Sequence, residues 1–226
     1  FDENFSLPFE QFISALTYIK RNTNLVLNVH TGLISKKLAN ELGKTGIDII
    51  SFDIVGDRET IKQVYGIDKT PQDYLRSLKA LIDTNIKYIA PHICIGLNFG
   101  KISGEIEALK LIKEINPYLI VLLALIPTKN TPMENISLEP EKIIKIIAIT
   151  RLMFPNTPIS LGCMRPGGIY RKELDLLAFQ AGINRIEIPS NFFIKYLIDN
   201  GYIIKKIDSC CALPSEFERK LENMET

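Results

Sequence analysis

The chain has 226 residues, 46% hydrophobic and 23% charged, with a net charge of +1 at neutral pH. That composition is ordinary for a soluble globular domain, and so small a net charge gives no reason to expect nucleic acid or an anionic membrane as partner. The longest apolar runs, such as residues 119–127, fall far short of the ~20 residues a membrane span needs. Phe1-Asp2-Glu3-Asn4 lacks the basic start and apolar region of a signal peptide. Four cysteines in a chain this long read as reduced cytoplasmic thiols rather than a disulfide framework.

Apolar runs of strand length alternate with segments of helical period. Residues 25–30 predict a strand, followed by Thr31-Gly32 and a helix from Ser35, its N-cap, to about Leu42. Residues 48–55 predict the next strand. Gly56-Asp57 then leads into two helical pieces, the second opened by Pro71. Residues 88–97 predict a third strand, followed by Gly100-Lys101-Ile102-Ser103-Gly104-Glu105-Ile106-Glu107 and a helix to about Glu114. A strand over 119–126 ends in Pro127-Thr128, and after a long loop a helix reaches about Phe154. Residues 158–163 form a strand before Arg165-Pro166-Gly167-Gly168 and a helix from Arg171. The last strand is 185–189, with a helix to about Asn200.

Near-continuous apolar strands argue for a parallel sheet covered on both faces. Their alternation with helices argues for βαβ units, right-handed by default. Six strand–helix units recur at roughly 30 residues each, the length of such a unit. The fold class is α/β, a (β/α) TIM-type barrel two units short of eight. No break in composition marks a boundary. Residues 1–226 therefore read as one partial barrel domain, with a C-terminal tail from about 205 to 226 that is a charged amphipathic helix or a frayed end.

In such a barrel the site is built from the C-terminal strand ends and the loops after them. Asn28 and His30, Asp53, His92 and Cys94, Thr128 and Lys129, Cys163 and Arg165, and Ser190 fall there. Side chains alternate faces along a strand, so Asn28 shares a face with His30, Ser51 with Asp53, and His92 with Cys94. Each has a bland alternative: a satisfied core histidine at His30 and His92, a small core residue at Cys94, an inert thiol at Cys163. A carboxylate flanked by apolar residues, as Asp53 is, needs a partner. Cys210 and Cys211 are too close in sequence for an ordinary disulfide; metal or cluster ligation and inert thiols are both open. The G-x-I-x-G-x-x-E stretch opens a helix directly after a strand, where free N–H groups and close backbone approach suit an anionic or nucleotide-like ligand.

With these residues in place, the chain resembles the radical S-adenosylmethionine (SAM) superfamily, in its biotin-synthase-like branch. The stretch Gly100 to Glu107 is similar to the motif after that superfamily's fifth barrel strand. The resemblance implies that this chain carries strands three to eight of a radical SAM barrel. It implies SAM contacts from Asn28, His30, Asp53, Gly100, Ile102, Gly104 and Glu107, with His92, Cys163 and Arg165 facing substrate or an auxiliary iron–sulfur cluster, and Cys163, Cys210 and Cys211 as that cluster's ligands. Asn28-Val29-His30-Thr31-Gly32, Gly162-Cys163-Met164-Arg165-Pro166 and Cys210-Cys211-Ala212-Leu213 look closest to archaeal biotin synthase homologues related to a two-protein lipoyl synthase. The implied activity is formation of a 5′-deoxyadenosyl radical for C–H activation, with sulfur insertion into a small molecule or a lipoyl-domain-like protein substrate. A second radical SAM subunit and an electron donor such as ferredoxin are implied partners. The C-x3-C-x2-C motif for the SAM-cleaving [4Fe–4S] cluster is absent from these residues, and its ligands are expected upstream of Phe1. The alternatives are a non-catalytic barrel that binds a nucleotide-like ligand or a protein, and a lyase or aldolase using Lys129.

Overall fold

The computed structural model describes residues 5–222. They form two compact units: one holds the described residues up to Ile93 together with Ser103–Tyr118, the other Cys94–Ile102 and those from Leu119 onward. Among the described residues no helix is long and apolar enough to cross a membrane.

The first unit begins with a 3-10 turn at Phe9–Gln11 and α1 at Ile13–Asn22. Then come β1 (Asn28–His30), α2 (Lys36–Gly43), β2 (Ile49–Asp53), α3 (Arg58–Tyr65), α4 (Pro71–Ile82), β3 (Tyr88–Ile95) and α5 (Glu105–Lys113). The helix starts are written in the sequence. The Ser35 hydroxyl accepts from the Leu38 N–H at the head of α2. Asp57 accepts from the Glu59 and Thr60 N–H groups at the head of α3, and Gly66 ends that helix at φ +70°. Thr70 and Asp73 close a capping box on α4, with Pro71 in its first position.

β1, β2 and β3 are parallel neighbours in chain order, with Asn28 opposite Ile49, His30 opposite Ser51 and Asp53 opposite His92. Period two then divides the sheet into two faces. One carries Ile50, Phe52, Ile89 and Ile93, all buried; on it the Phe52 ring meets Tyr74 of α4 at 6.3 Å. This is the helix-covered face, and truncating a core residue beneath it such as Leu78 should cost about 2–5 kcal/mol. The other face carries Asn28, His30, Ser51, Asp53, Ala90 and His92. In a (β/α) barrel the face turned from the helices is the interior.

The second unit contains β4 (Ile120–Ala124), α6 (Pro140–Met153), β5 (Ile159–Leu161), α7 (Gly168–Gln180), β6 (Arg185–Ile186), α8 (Asn191–Asp199) and α9 (Ser215–Glu222). β4 pairs with β5 and β5 with β6, again parallel. Arg151 at the end of α6 ties this unit by donating to the carbonyls of Phe154, Pro155, Thr157 and Gly182. Six parallel strands alternating with helices give a (β/α)-barrel fragment, as the sequence pattern predicts. β2 and β4 are shorter than their apolar runs because the runs continue into the buried loop residues Ile54, Val55 and Leu125. α7 starts at Gly168 rather than Arg171. α1 was not expected, and it buries no residue among those described.

Candidate active site

The polar face of the first unit is organised around His92. Its ring is 3% exposed, and Nδ1 lies 2.9 Å from the Ala90 carbonyl oxygen. A carbonyl can only accept, so Nδ1 carries the proton and Nε2 the lone pair. Burial pushes the His92 pKa down to about 4, opposed by the charge of Asp53 and reinforced by His30. The imidazole is therefore neutral at pH 7. The His30 ring, exposed at the end of β1, has its centroid 5.2 Å from that of His92. On the same face the Ser51 hydroxyl donates to Asn28 Oδ1 at 2.9 Å. Asp53, the register partner of His92, is half-buried, and its carboxylate accepts no hydrogen bond among the described residues. The structure thus brings Asn28, His30, Asp53 and His92 together on one face. Cys94, two residues beyond His92, is half-buried.

The loop after β2 meets the start of α5. A methyl group on Gly56 would stand 2.2 Å from the Gly104 carbonyl oxygen and 2.4 Å from the Ala108 nitrogen; one on Gly104 would stand 2.7 Å from Asp57 Cβ. Here the two glycines are needed for backbone to touch backbone. The Ser103 hydroxyl donates to Asp57 at 3.1 Å, and the Ser103 N–H to Glu105 at 2.9 Å. Burial alone would raise the Asp57 pKa, but hydrogen bonds from Thr60, Glu59 and Ser103 outweigh it and hold the carboxylate ionised. Glu107 is exposed and pairs with Lys110 at 3.1 Å. Gly100 and Ile102 belong to the second unit. Gly100 sits at φ +77°, where a methyl group would meet Ile136 at 2.6 Å, and Ile102 is half-buried. Asp57 and Glu105 were not singled out by sequence; the N-cap position of Asp57 was the available signal.

In the second unit Arg165 is fully buried. Its Nε and one terminal nitrogen donate to Asp175 Oδ1 at 3.2 and 3.0 Å, and further N–H groups reach the carbonyls of Gly162 at 2.7 Å and Ile188 at 3.3 Å. The second oxygen of Asp175 accepts from the Ser190 N–H at 2.7 Å, and the Ser190 hydroxyl caps α8. Arg165 thus braces the ends of β5 and β6 against α7 and is a positioning residue. Asp175 was missed in sequence; a charge beside Leu174 and Ala178 on the buried stripe of α7 is the signal, because a buried carboxylate needs a cation.

The thiols are less gathered. Cys163 and Cys210 are exposed and Cys211 is buried. The Cys210 and Cys211 sulfurs are 4.0 Å apart. A hydrogen bond with Cys210, burial, and the nearby Glu187 carboxylate all push the Cys211 pKa up, which keeps it a thiol. Burial, and then Cys210, also raise the Glu187 pKa, against Arg165 and Arg185. Among the described residues no three His, Cys, Asp or Glu side chains form a metal-binding group. Lys129 is exposed in the loop after β4.

Residues 121–209 match the Biotin and Thiamin Synthesis associated domain. The biotin synthase of Coxiella burnetii is 30% identical over 189 residues, 80% of this chain and 56% of that protein. The chain therefore spans about half the length of the curated relatives it matches. Among solved structures, a methylornithine synthase superposes with a TM-score of 0.60 at 17% identity, over 97% of this chain and 63% of that one. A maturase of the [FeFe]-hydrogenase superposes with a TM-score of 0.62 at 17% identity, over 86% and 49%. These two show the shared fold.

Proposed function

We propose that this chain, which is a biotin-synthase-like relative in the radical SAM superfamily, carries the SAM-holding strands of an enzyme that activates unreactive C–H bonds. Sulfur insertion into a small molecule or a lipoyl-domain-like protein is the reaction favoured by the resemblance. The observation that carries this reading is the polar face of β1, β2 and β3. Asn28, His30, Asp53 and His92 stand there in register, while the opposite face of the same strands is apolar.

The face fits an adenosyl group. The Asp53 carboxylate, which has no donor of its own, is suited to accept from the two hydroxyls of a ribose. The exposed His30 ring lies on the same face. With a [4Fe–4S] cluster, SAM held on this face would supply the chemistry for removing hydrogen from an unreactive substrate carbon. The protein's part is to bind, orient and exclude water. His92 is held neutral in the floor of the face, with Nδ1 donating to the Ala90 carbonyl. Gly104, through its contact with Gly56, holds the start of α5 to the loop after Asp53.

Thiolates for the SAM-cleaving cluster are proposed from outside these 226 residues, and the electron from a donor such as ferredoxin. Cys163, Cys210 and Cys211, as arranged, do not form a three-thiolate site, and no step is derived through an auxiliary cluster. The test is anaerobic loading of the intact protein with iron and sulfide, followed by reduction in the presence of SAM. Release of 5′-deoxyadenosine, lost in Asp53→Asn, supports the reading. SAM binding without turnover in iron-loaded protein would favour a non-catalytic nucleotide-binding barrel.

A further inference from the structure

Tyr74 is the fourth residue of α4, on the stripe that packs against β2. Its ring stands edge-on to Phe52, with the planes 70° apart. The residue is 1% exposed, and its hydroxyl is buried with no hydrogen-bond partner among the described residues. Phenylalanine would pack the same ring without leaving a polar atom unsatisfied, and native structures hold few such orphans. The hydroxyl therefore calls for an explanation.

Two directional arguments place it. A helix that returns from one parallel strand toward the next has its N-terminus at the C-terminal ends of the strands. Long helical side chains lean toward the N-terminus of their own helix. From the first turns of α4, Tyr74 thus reaches toward the strand end that carries Asp53, the residue after Phe52. Asp53 is the complementary case, a half-buried carboxylate that accepts no hydrogen bond among the described residues. After burial, Asp53 acts on the Tyr74 phenol more strongly than Asp73, and all three effects hold it protonated, as a donor.

We propose that Tyr74 is a positioning residue for Asp53: its hydroxyl donates to the carboxylate through one water and aims the free oxygen at the ligand's ribose. The inference rests on the reading of Asp53 as the ribose acceptor. A donor delivered from the helix layer fixes the carboxylate without occupying space on the interior face. It also accounts for a hydroxyl that stability alone would discard.

The test is calorimetric titration of the protein with S-adenosylhomocysteine, which needs no cluster chemistry. Tyr74→Phe should bind about five- to tenfold more weakly, the effect of one hydrogen bond, with an unchanged or higher melting temperature. In an Asp53→Asn background the same substitution should have no further effect on binding, because the pair acts as a unit. Wild-type affinity in Tyr74→Phe, or an equal loss in both backgrounds, overturns the positioning role and leaves the Asp53 reading intact. Failure of the unsubstituted protein to bind at all overturns that reading and this inference with it.

Discussion

Asp53 and His92 are register partners on adjacent parallel strands, and they carry complementary needs: a carboxylate with no donor beside an imidazole held neutral. Two residues brought together from 39 positions apart by strand pairing define the polar floor of the first unit. The attraction of Asp53 is not strong enough to keep a proton on His92 against burial. The Asp53 carboxylate is an acceptor on this face, and a ligand with hydroxyl donors is its natural complement.

The neutral imidazole has a consequence for stability. The folded His92 pKa is about 4 against an ordinary 6.5, so between those values the unfolded chain binds a proton that the folded chain does not. Stability is full above about pH 6.5 and falls as pH drops toward 4, by on the order of 3 kcal/mol at the limit. Denaturant unfolding at a series of pH values should show this slope, and His92→Asn should flatten it relative to the unsubstituted protein.

The contact between Gly56 and Gly104 leaves no room for a methyl group. Gly56→Ala and Gly104→Ala should each destabilise the first unit by about 2 kcal/mol or more, since backbone rather than a flexible side chain must move. Gly167 has open space around its Cβ position, and Gly167→Ala should change the melting temperature little. Thermal unfolding of the three variants side by side checks both halves of this expectation.

The buried pair of Arg165 and Asp175 is asymmetric in a testable way. Asp175→Asn leaves an uncompensated guanidinium in the interior and should cost about 3–5 kcal/mol. Replacing both, as Arg165→Met with Asp175→Leu, should cost less than either single change. Urea unfolding of the singles and the double gives the coupling. A double variant as unstable as the sum of the singles would show that the two side chains act independently.

Much of this was legible in the sequence. The six strands announce themselves because parallel strands covered on both faces are nearly continuous apolar runs. Alternation along them was enough to put Asn28 with His30 and to place Asp53 at a strand end. What local pattern does not carry is contact across elements. Gly104 reads as part of a ligand motif, yet its immediate reason is Gly56, 48 positions earlier. Arg165 reads as a group facing substrate or an auxiliary cluster, and what the sequence does not show is its buried partner Asp175. Tyr74 looks like one more apolar position on α4, and only its unpartnered hydroxyl sets it apart.

The most direct measurement of the central claim is calorimetric titration of S-adenosylhomocysteine into the protein, into Asp53→Asn, and into Lys142→Ala, a partly exposed residue of the second unit, as a control. The account predicts saturable one-to-one binding, weakened at least about tenfold, or roughly 1.4 kcal/mol, by Asp53→Asn and untouched by Lys142→Ala. Equal affinity in all three proteins, or no binding by a folded protein, would contradict the assignment of the β1–β3 polar face as an adenosyl site.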